Sequence, residues 1–420
     1  MKKIVKMSLV AAVAVAGLTT ANAKPLEEAI KNVDVSGTVV YRYNDYNADS
    51  AATAPATRAG TSDQTNNYKI GLNISSKVND DVKLNTRFLV ANNAGSFAGA
   101  AGNAGGLNAN SNDANPEVSL SQVYFTYTGI MNTTVNVGKQ GLTTPWTTAV
   151  DSDGNEQNGT GILALSTWGP VTVAGAYFNQ TNLGTSGDLA GALTTASTYA
   201  NAGANSVATV GVIGNVGPVT LNAWYLDMQD IFDTYTLGAK AGFDVSGVKL
   251  GADLSYTSVD FDSVAVSRVA ALRNANGTER DHNLLKLILT AKAGIVDAKY
   301  VYAGTDKEGG ITALDADAAT TVLTWNITTL DKADADLHHF SVGVQALDTV
   351  HVSANYTTMD YNQVANTADE KEEELYAQVV YNMSKNLMTY VRFGTYEAET
   401  NAVKTTDDSY RGRLQVQYSF

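Results

Sequence analysis

Along most of the chain, runs of about ten residues alternate apolar and polar side chains with period two, and turn-forming residues separate them. The final run shows this most plainly. Tyr410, Leu414, Val416, Tyr418 and Phe420 share one parity, with Gly412 as the only gap, while Arg411, Arg413, Gln415, Gln417 and Ser419 share the other. Such alternation makes a strand that meets a different solvent on each face. An apolar face with aromatics near its end, backed by a wet and basic face, suits a barrel wall between lipid and a watery interior.

The same reading predicts eighteen strands, each near the roughly 9 to 11 residues that cross a bilayer at a tilt. They begin with Val33–Asp45, Asn67–Val78 and Val82–Ala91, place the fifth and sixth at Thr133–Gln140 and Ile162–Trp168, and end with Asp407–Phe420. Tight turns such as Asn79-Asp80-Asp81, Gly169-Pro170, Gly217-Pro218 and Ser246-Gly247 alternate with long polar or Gly/Ala/Asn-rich loops. One short rim and one ragged rim is the outer-membrane arrangement of periplasmic turns and external loops. Between Asp306 and Asp334, Thr321, Leu323, Trp325, Ile327 and Thr329 also alternate. A nineteenth strand would put the termini on opposite rims, so this piece is assigned to a large structured loop. Sixteen strands is the alternative count. The fold class is therefore all-β, a transmembrane antiparallel β-barrel.

Composition agrees with strand and disfavours helix: 6 prolines, 21 tyrosines and 36 glycines occur in 420 residues. After the N-terminal region no apolar run approaches the roughly 18 residues of a spanning helix, so entry into a membrane requires a closed barrel. At the start, Lys2, Lys3 and Lys6 precede an apolar stretch from Met7 to Leu18 and the small-x-small site Ala21-Asn22-Ala23. This is the pattern of a cleaved signal peptide over residues 1–23, leaving one barrel domain over residues 24–420. Removing those lysines lowers 28 basic residues to 25 against 42 acidic ones, a net charge near −17. Such acidity argues against nucleic acid as a partner. The absence of cysteine fits an exported envelope protein.

Two stretches carry a family resemblance. PLEEAIKNVDVSG, followed by alternation through Tyr41-Arg42-Tyr43, resembles the opening of the major outer membrane porin family of campylobacter-type bacteria. VNVGKQGLTTPWTTAVDSDGNEQNGTGILALSTWGPVTVAGAY, from Val135 to Tyr177, is similar to that family's fifth strand, constriction loop and sixth strand. The resemblance implies a trimeric eighteen-stranded channel with a calcium ion near the pore. It also implies residence in the outer membrane, amid lipid and lipopolysaccharide. The terminal Phe420 resembles the signal by which the barrel assembly machinery recognises such chains.

The third external loop, at about residues 141–161, should then fold inward and constrict the pore. It carries Asp151, Asp153 and Glu156. With apolar residues outward, Arg42, Lys83, Arg87, Arg392, Arg411 and Arg413 point into the lumen, and closure of the last strand on the first gathers them on one wall. A basic wall facing an acidic loop sets a transverse field across a narrow gap. Asp151-x-Asp153-x-Asn155 begins like a calcium loop, then departs from the EF-hand pattern at Glu156 and Ile162. Asp151 and Asp153 are the candidate calcium ligands. The four histidines show no metalloprotease spacing, and no nucleophile elbow or phosphate loop is present, so no enzyme is expected. Tyr41, Trp168, Trp224, Tyr390 and Tyr418 read as interfacial girdle residues. The expected function is passive diffusion of ions and small hydrophilic solutes past a charged constriction. A channel specific for small organic anions and a structural or adhesin barrel are the alternatives.

Overall fold

Nineteen β-segments form one sheet, and one of them is only the two residues Ala98–Gly99, which leaves eighteen long strands. The structure, a computed structural model, describes residues 33–49, 62–91, 98–99, 117–151, 156–186, 205–263, 265, 281–363 and 366–420. The expected leader at 1–23 and the candidate Asp153 lie outside the described residues.

In chain order the long strands are β1 (Val33–Asp49), β2 (Ser62–Lys77), β3 (Val82–Ala91), β4 (Glu117–Ile130), β5 (Thr133–Gly141) and β6 (Asn158–Trp168). There follow β7 (Val171–Thr181), β8 (Val207–Val216), β9 (Val219–Met228), β10 (Phe232–Val245), β11 (Val248–Phe261) and β12 (Asp281–Ala293). The last six are β13 (Val296–Thr305), β14 (Ala333–Leu347), β15 (Val350–Gln363), β16 (Asn366–Asn382), β17 (Leu387–Thr400) and β18 (Val403–Ser419). Each pairs antiparallel with its sequence neighbours, and β18 closes on β1 in the register Val39↔Tyr418, Arg42↔Gln415 and Asn44↔Arg413. Phe420 completes the seam: its N–H donates to the Gly37 carbonyl at 3.0 Å and its carbonyl accepts from the Gly37 N–H at 2.9 Å. Closure leaves no unpaired edge, the condition for a sheet in lipid.

Strands outrun their apolar patterns on the ragged rim. The pattern starts β16 at Glu372, whereas the ladder begins at Asn366 and runs through Asp369, Glu370 and Lys371. Where water lies on both faces the alternation that marks a strand disappears, yet backbone pairing continues. On the opposite rim the turns are tight. At Ser246-Gly247 both central residues have positive φ, 54° and 84°, the mirror-image turn whose twist matches a hairpin.

Outward parity is apolar and exposed, as at Leu375, Val391 and Phe393, the last 61% exposed. Among the described residues no helix is long and apolar enough to cross a membrane. The girdle expectation holds for Trp168 and Tyr418, which are exposed. It fails for Trp224 and Tyr390. Trp224 packs on a luminal apolar cluster, and Tyr390 is buried with its hydroxyl donating to Gln415 Oε1 at 2.9 Å. Both share the parity of inward residues, Leu226 and Arg392, so register overrides the preference of aromatics for the interface.

Two dry clusters lie inside the barrel. The larger joins inner-face residues of β7 to β11, such as Phe178, Leu226, Phe232 and Phe261, to Leu142, Trp146, Ile311 and Leu314 from loops. The smaller joins Leu284, Val301, Leu337 and Met359 of β12 to β15 to Val322 and Ile327. The piece at 306–332 is thus a loop, with only the isolated bridges Asp306↔Gly309 and Leu323↔Thr328, and it is folded into the lumen.

Candidate pore constriction

The third external loop, residues 142–157, turns into the barrel because its two largest apolar side chains have somewhere dry to go. Leu142 and Trp146 are each 1% exposed within the larger cluster. Its polar groups close the turn on itself. Leu142 N–H donates to the Gln157 carbonyl, Gln157 N–H to the Thr148 carbonyl and Thr148 N–H to Gln157 Oε1, each at 2.9 Å.

Glu156, 2% exposed, meets the wall directly. Arg87 Nε donates to its Oε2 at 2.8 Å, Arg87 Nη2 to its Oε1 at 2.5 Å and Ser121 Oγ to its Oε2 at 3.1 Å. Lys69 Nζ lies 3.8 Å from the same carboxylate and donates to the Asp151 backbone carbonyl at 2.7 Å. An acidic edge facing these basic groups across water is therefore not what forms. A buried fork-to-fork pair replaces the gap, since a carboxylate and a guanidinium this deep need contact and hydrogen bonds to offset desolvation.

The seventh external loop, residues 306–332, supplies what the sequence pattern left unplaced. At its root Asp306 accepts from the Asn283 amide and from Glu308 N–H, and burial holds its carboxyl above the usual range despite both bonds. The loop then meets the third loop: Leu314 N–H donates to the Trp146 carbonyl at 2.8 Å, and Gln157 Nε2 to the Leu314 carbonyl at 3.0 Å. This contact brings the carboxylates of Asp151, Asp315 and Asp317 together, with one ligand atom from each within 4.8 Å of the others. Beyond it a hairpin around Trp325 reaches the inner face of β16. There Glu374 accepts from Trp325 N–H at 3.1 Å, Asn326 N–H at 2.9 Å, Asn326 Nδ2 at 3.0 Å and Thr357 Oγ1 at 3.1 Å.

The predicted basic residues fall into three groups. Arg42 is buried and its Nε donates to Gln415 Oε1 at 2.8 Å, while Arg87 belongs to the Glu156 pair. Arg392, Arg411 and Arg413 are half-buried around the Trp325 hairpin. Arg392 donates to Gln378 and sits 4.9 Å from the Tyr390 ring centre. Arg411 Nη1 donates to Asn326 Oδ1 at 2.7 Å, with its guanidinium 4.2 Å from the Tyr396 ring centre. Arg413 donates to Asn44 Oδ1 at 2.8 Å and to the Tyr46 hydroxyl at 2.9 Å. Lys83 is exposed on the face of Arg87, four residues or about 14 Å nearer the short rim, and joins neither group.

Sequence reasoning missed Lys69, Asp315, Asp317, Trp325 and Glu374. Lys69 could have been found from register, since it lies opposite Val40 on the inner parity. Asp315-x-Asp317 repeats the alternate-acid spacing noted at Asp151, which was a usable signal.

A closed eighteen-strand barrel, apolar outside and narrowed by two infolded loops, has the architecture of an outer-membrane porin, a channel for small solutes. The fold is similar to solved Pseudomonas aeruginosa OccK2 (OpdF), at TM-score 0.67 and 12% identity over 92% of this chain and 98% of that one. It is likewise similar to OccK5 (OpdH) of the same organism, at 0.67 and 14% over 92% and 98%. A BenF-like porin from Pseudomonas fluorescens Pf-5 gives 0.66 and 14% over 93% and 99%. No curated protein matches the sequence. The chain belongs to the Campylobacter major outer membrane protein family, which matches it over residues 1–420.

Proposed function

We propose that the protein is a passive diffusion channel for ions and small hydrophilic solutes whose constriction is built jointly by the third and seventh loops. The observation that carries this reading is the docking of the two loops on each other through Trp146–Leu314 and Gln157–Leu314, with the seventh loop tethered at Glu374 to the inner face of β16, two strands from its own root. Loops so placed set a size limit without any moving or catalytic part. Liposome swelling tests it: neutral sugars should enter at rates that fall smoothly with size and rise linearly with concentration. Saturating sugar flux would contradict simple diffusion.

A calcium ion belongs to the same reading, with Asp315 and Asp317 joining Asp151 as its ligands. Calcium takes hard oxygens at about 2.4 Å, so ligand oxygens on opposite sides of one ion lie no more than about 4.8 Å apart. The three carboxylates meet that limit and come from both loops. When bound, the ion would neutralise their mutual repulsion and cross-link the loops. Trimeric assembly, lipopolysaccharide contact and recognition of Phe420 by the assembly machinery are carried by the family resemblance, and the exposed outer ring of Phe420 suits the last.

A further inference from the structure

The neck of the seventh loop closes over one buried imidazole. His282, the second residue of β12, is 0% exposed and lies above the roughly 9 to 11 residues of that strand that cross lipid. Phe261 of β11 meets its ring edge-on, with centres 4.9 Å apart. The loop covers it at Gly309, where φ is 151° and a Cβ would collide with the ring. The bond that fastens the loop is Ile311 N–H donating to His282 Nδ1 at 3.1 Å. Across the neck Asp331 N–H donates to the Gly310 carbonyl at 3.1 Å, so both limbs of the loop are registered on this point. Ile311 belongs to the larger dry cluster with Trp146, and Leu314 N–H reaches the Trp146 carbonyl. The placement of the paired loops therefore follows from what His282 holds.

An accepting Nδ1 puts the single proton of the neutral ring on Nε2, which meets no partner among the described residues. A second proton would sit on Nδ1 and point at the Ile311 N–H. We propose that His282 is a positioning residue of the constriction, whose neutral ring latches the seventh loop over the pore and whose protonated ring releases it. Protonation turns the one acceptor into a donor, strips Ile311 N–H of its partner and places a charge in an apolar pocket. Burial already pushes the ring down to about 4, against a smaller upward pull from Glu308 in the neck. Asp306 beside it is engaged by the Asn283 amide and Glu308 N–H, while Asp331 and Lys332 stand on the returning limb. On β11 and β12 the adjacent charges, Asp260 and Asp281, take the outer parity, away from the ring. In the released loop the ring regains its ordinary value near 6.5. The latched state has the lower value, so it is fully favoured above about pH 6.5 and loses ground as pH falls toward about 4. At pH 5 the released population should be about 30-fold larger than at pH 7.5. The proposal rests on the porin reading and adds regulation to it.

Single-channel recording of the purified full-length protein at pH 7.5 and pH 5 tests the latch. Steps in potassium chloride at pH 7.5 test the channel alone, and their absence from the wild type overturns the porin reading and this proposal with it. In the wild type, visits to a larger conductance level should be about 30-fold more frequent at pH 5. His282→Asn offers an amide oxygen where Nδ1 stood and does not titrate, and its own steps at pH 7.5 certify an inserted barrel. Its visits, whatever their frequency, should change by less than about threefold between the two pH values. His282→Gln, with a longer amide, serves the same test should the first variant fail to insert. A merely structural histidine would alter the frequency on substitution and leave the pH profile in place. A wild type without a pH response overturns the latch and leaves the porin reading standing. A variant response equal to that of the wild type does the same, since it moves the titration to carboxylates such as Asp306.

Discussion

Glu374→Gln should loosen the hairpin that ties the seventh loop to the inner face of β16. The wild-type carboxylate accepts four hydrogen bonds, three of them from Trp325 and Asn326. An isosteric amide keeps one acceptor oxygen and turns an NH2 toward backbone N–H donors, so about two bonds to a charged acceptor are lost. At roughly 1.5 kcal/mol each, the low end for charged acceptors, the hairpin loses about 3 kcal/mol of anchoring. That raises the population of the released hairpin by about 150-fold. Release stays incomplete, because Val322 and Ile327 remain packed in the smaller luminal cluster. The assay is single-channel recording: the variant should visit a larger conductance level much more often than the wild type, at unchanged barrel thermostability. A trace identical in level and noise would refute the assignment of Glu374 as the tether and of the hairpin as part of the constriction.

Arg87→Ala leaves Glu156 buried without its fork and should destabilise the third loop by about 3 to 5 kcal/mol, read as a lowered heat-modification temperature on gels; Arg87→Ala with Glu156→Gln should recover part of the loss. Removing calcium with chelator should lower the thermal midpoint of the wild type, and Asp315→Asn should abolish that difference; an equal shift in both proteins would remove the assigned ligands. Asp151→Lys should move the reversal potential in a salt gradient toward anion preference, and an unmoved potential would take Asp151 away from the solute path.

How far the sequence was legible depended on where water and lipid alternate. All eighteen strands were readable because crossing lipid imposes period two, and Tyr410 to Phe420 announced the inner and outer faces of the seam. The extension of β16 to Asn366 was not, since above the membrane both faces of Asp369–Lys371 are polar. The inward placement of Trp224 and Tyr390 was readable from register but concealed by residue type. For the constriction, the third loop was recognisable by resemblance, and Asp151 and Glu156 do lie inside the barrel. Their partners were not legible: Glu156 with Arg87 joins residues 69 positions apart, and Asn326 with Arg411 joins residues 85 apart. Alternation in Thr321–Thr329 mimicked a strand because a luminal hairpin also has one face on an apolar cluster and one toward polar wall.

The central claim is that solutes pass through one barrel past the paired third and seventh loops. Single-channel recording of the purified wild type beside a variant with residues 321–329 replaced by a short Gly-Ser linker tests it most directly. The account predicts discrete steps in potassium chloride for the wild type and clearly larger steps for the variant. Equal steps from both proteins, or no steps from the wild type, would contradict it.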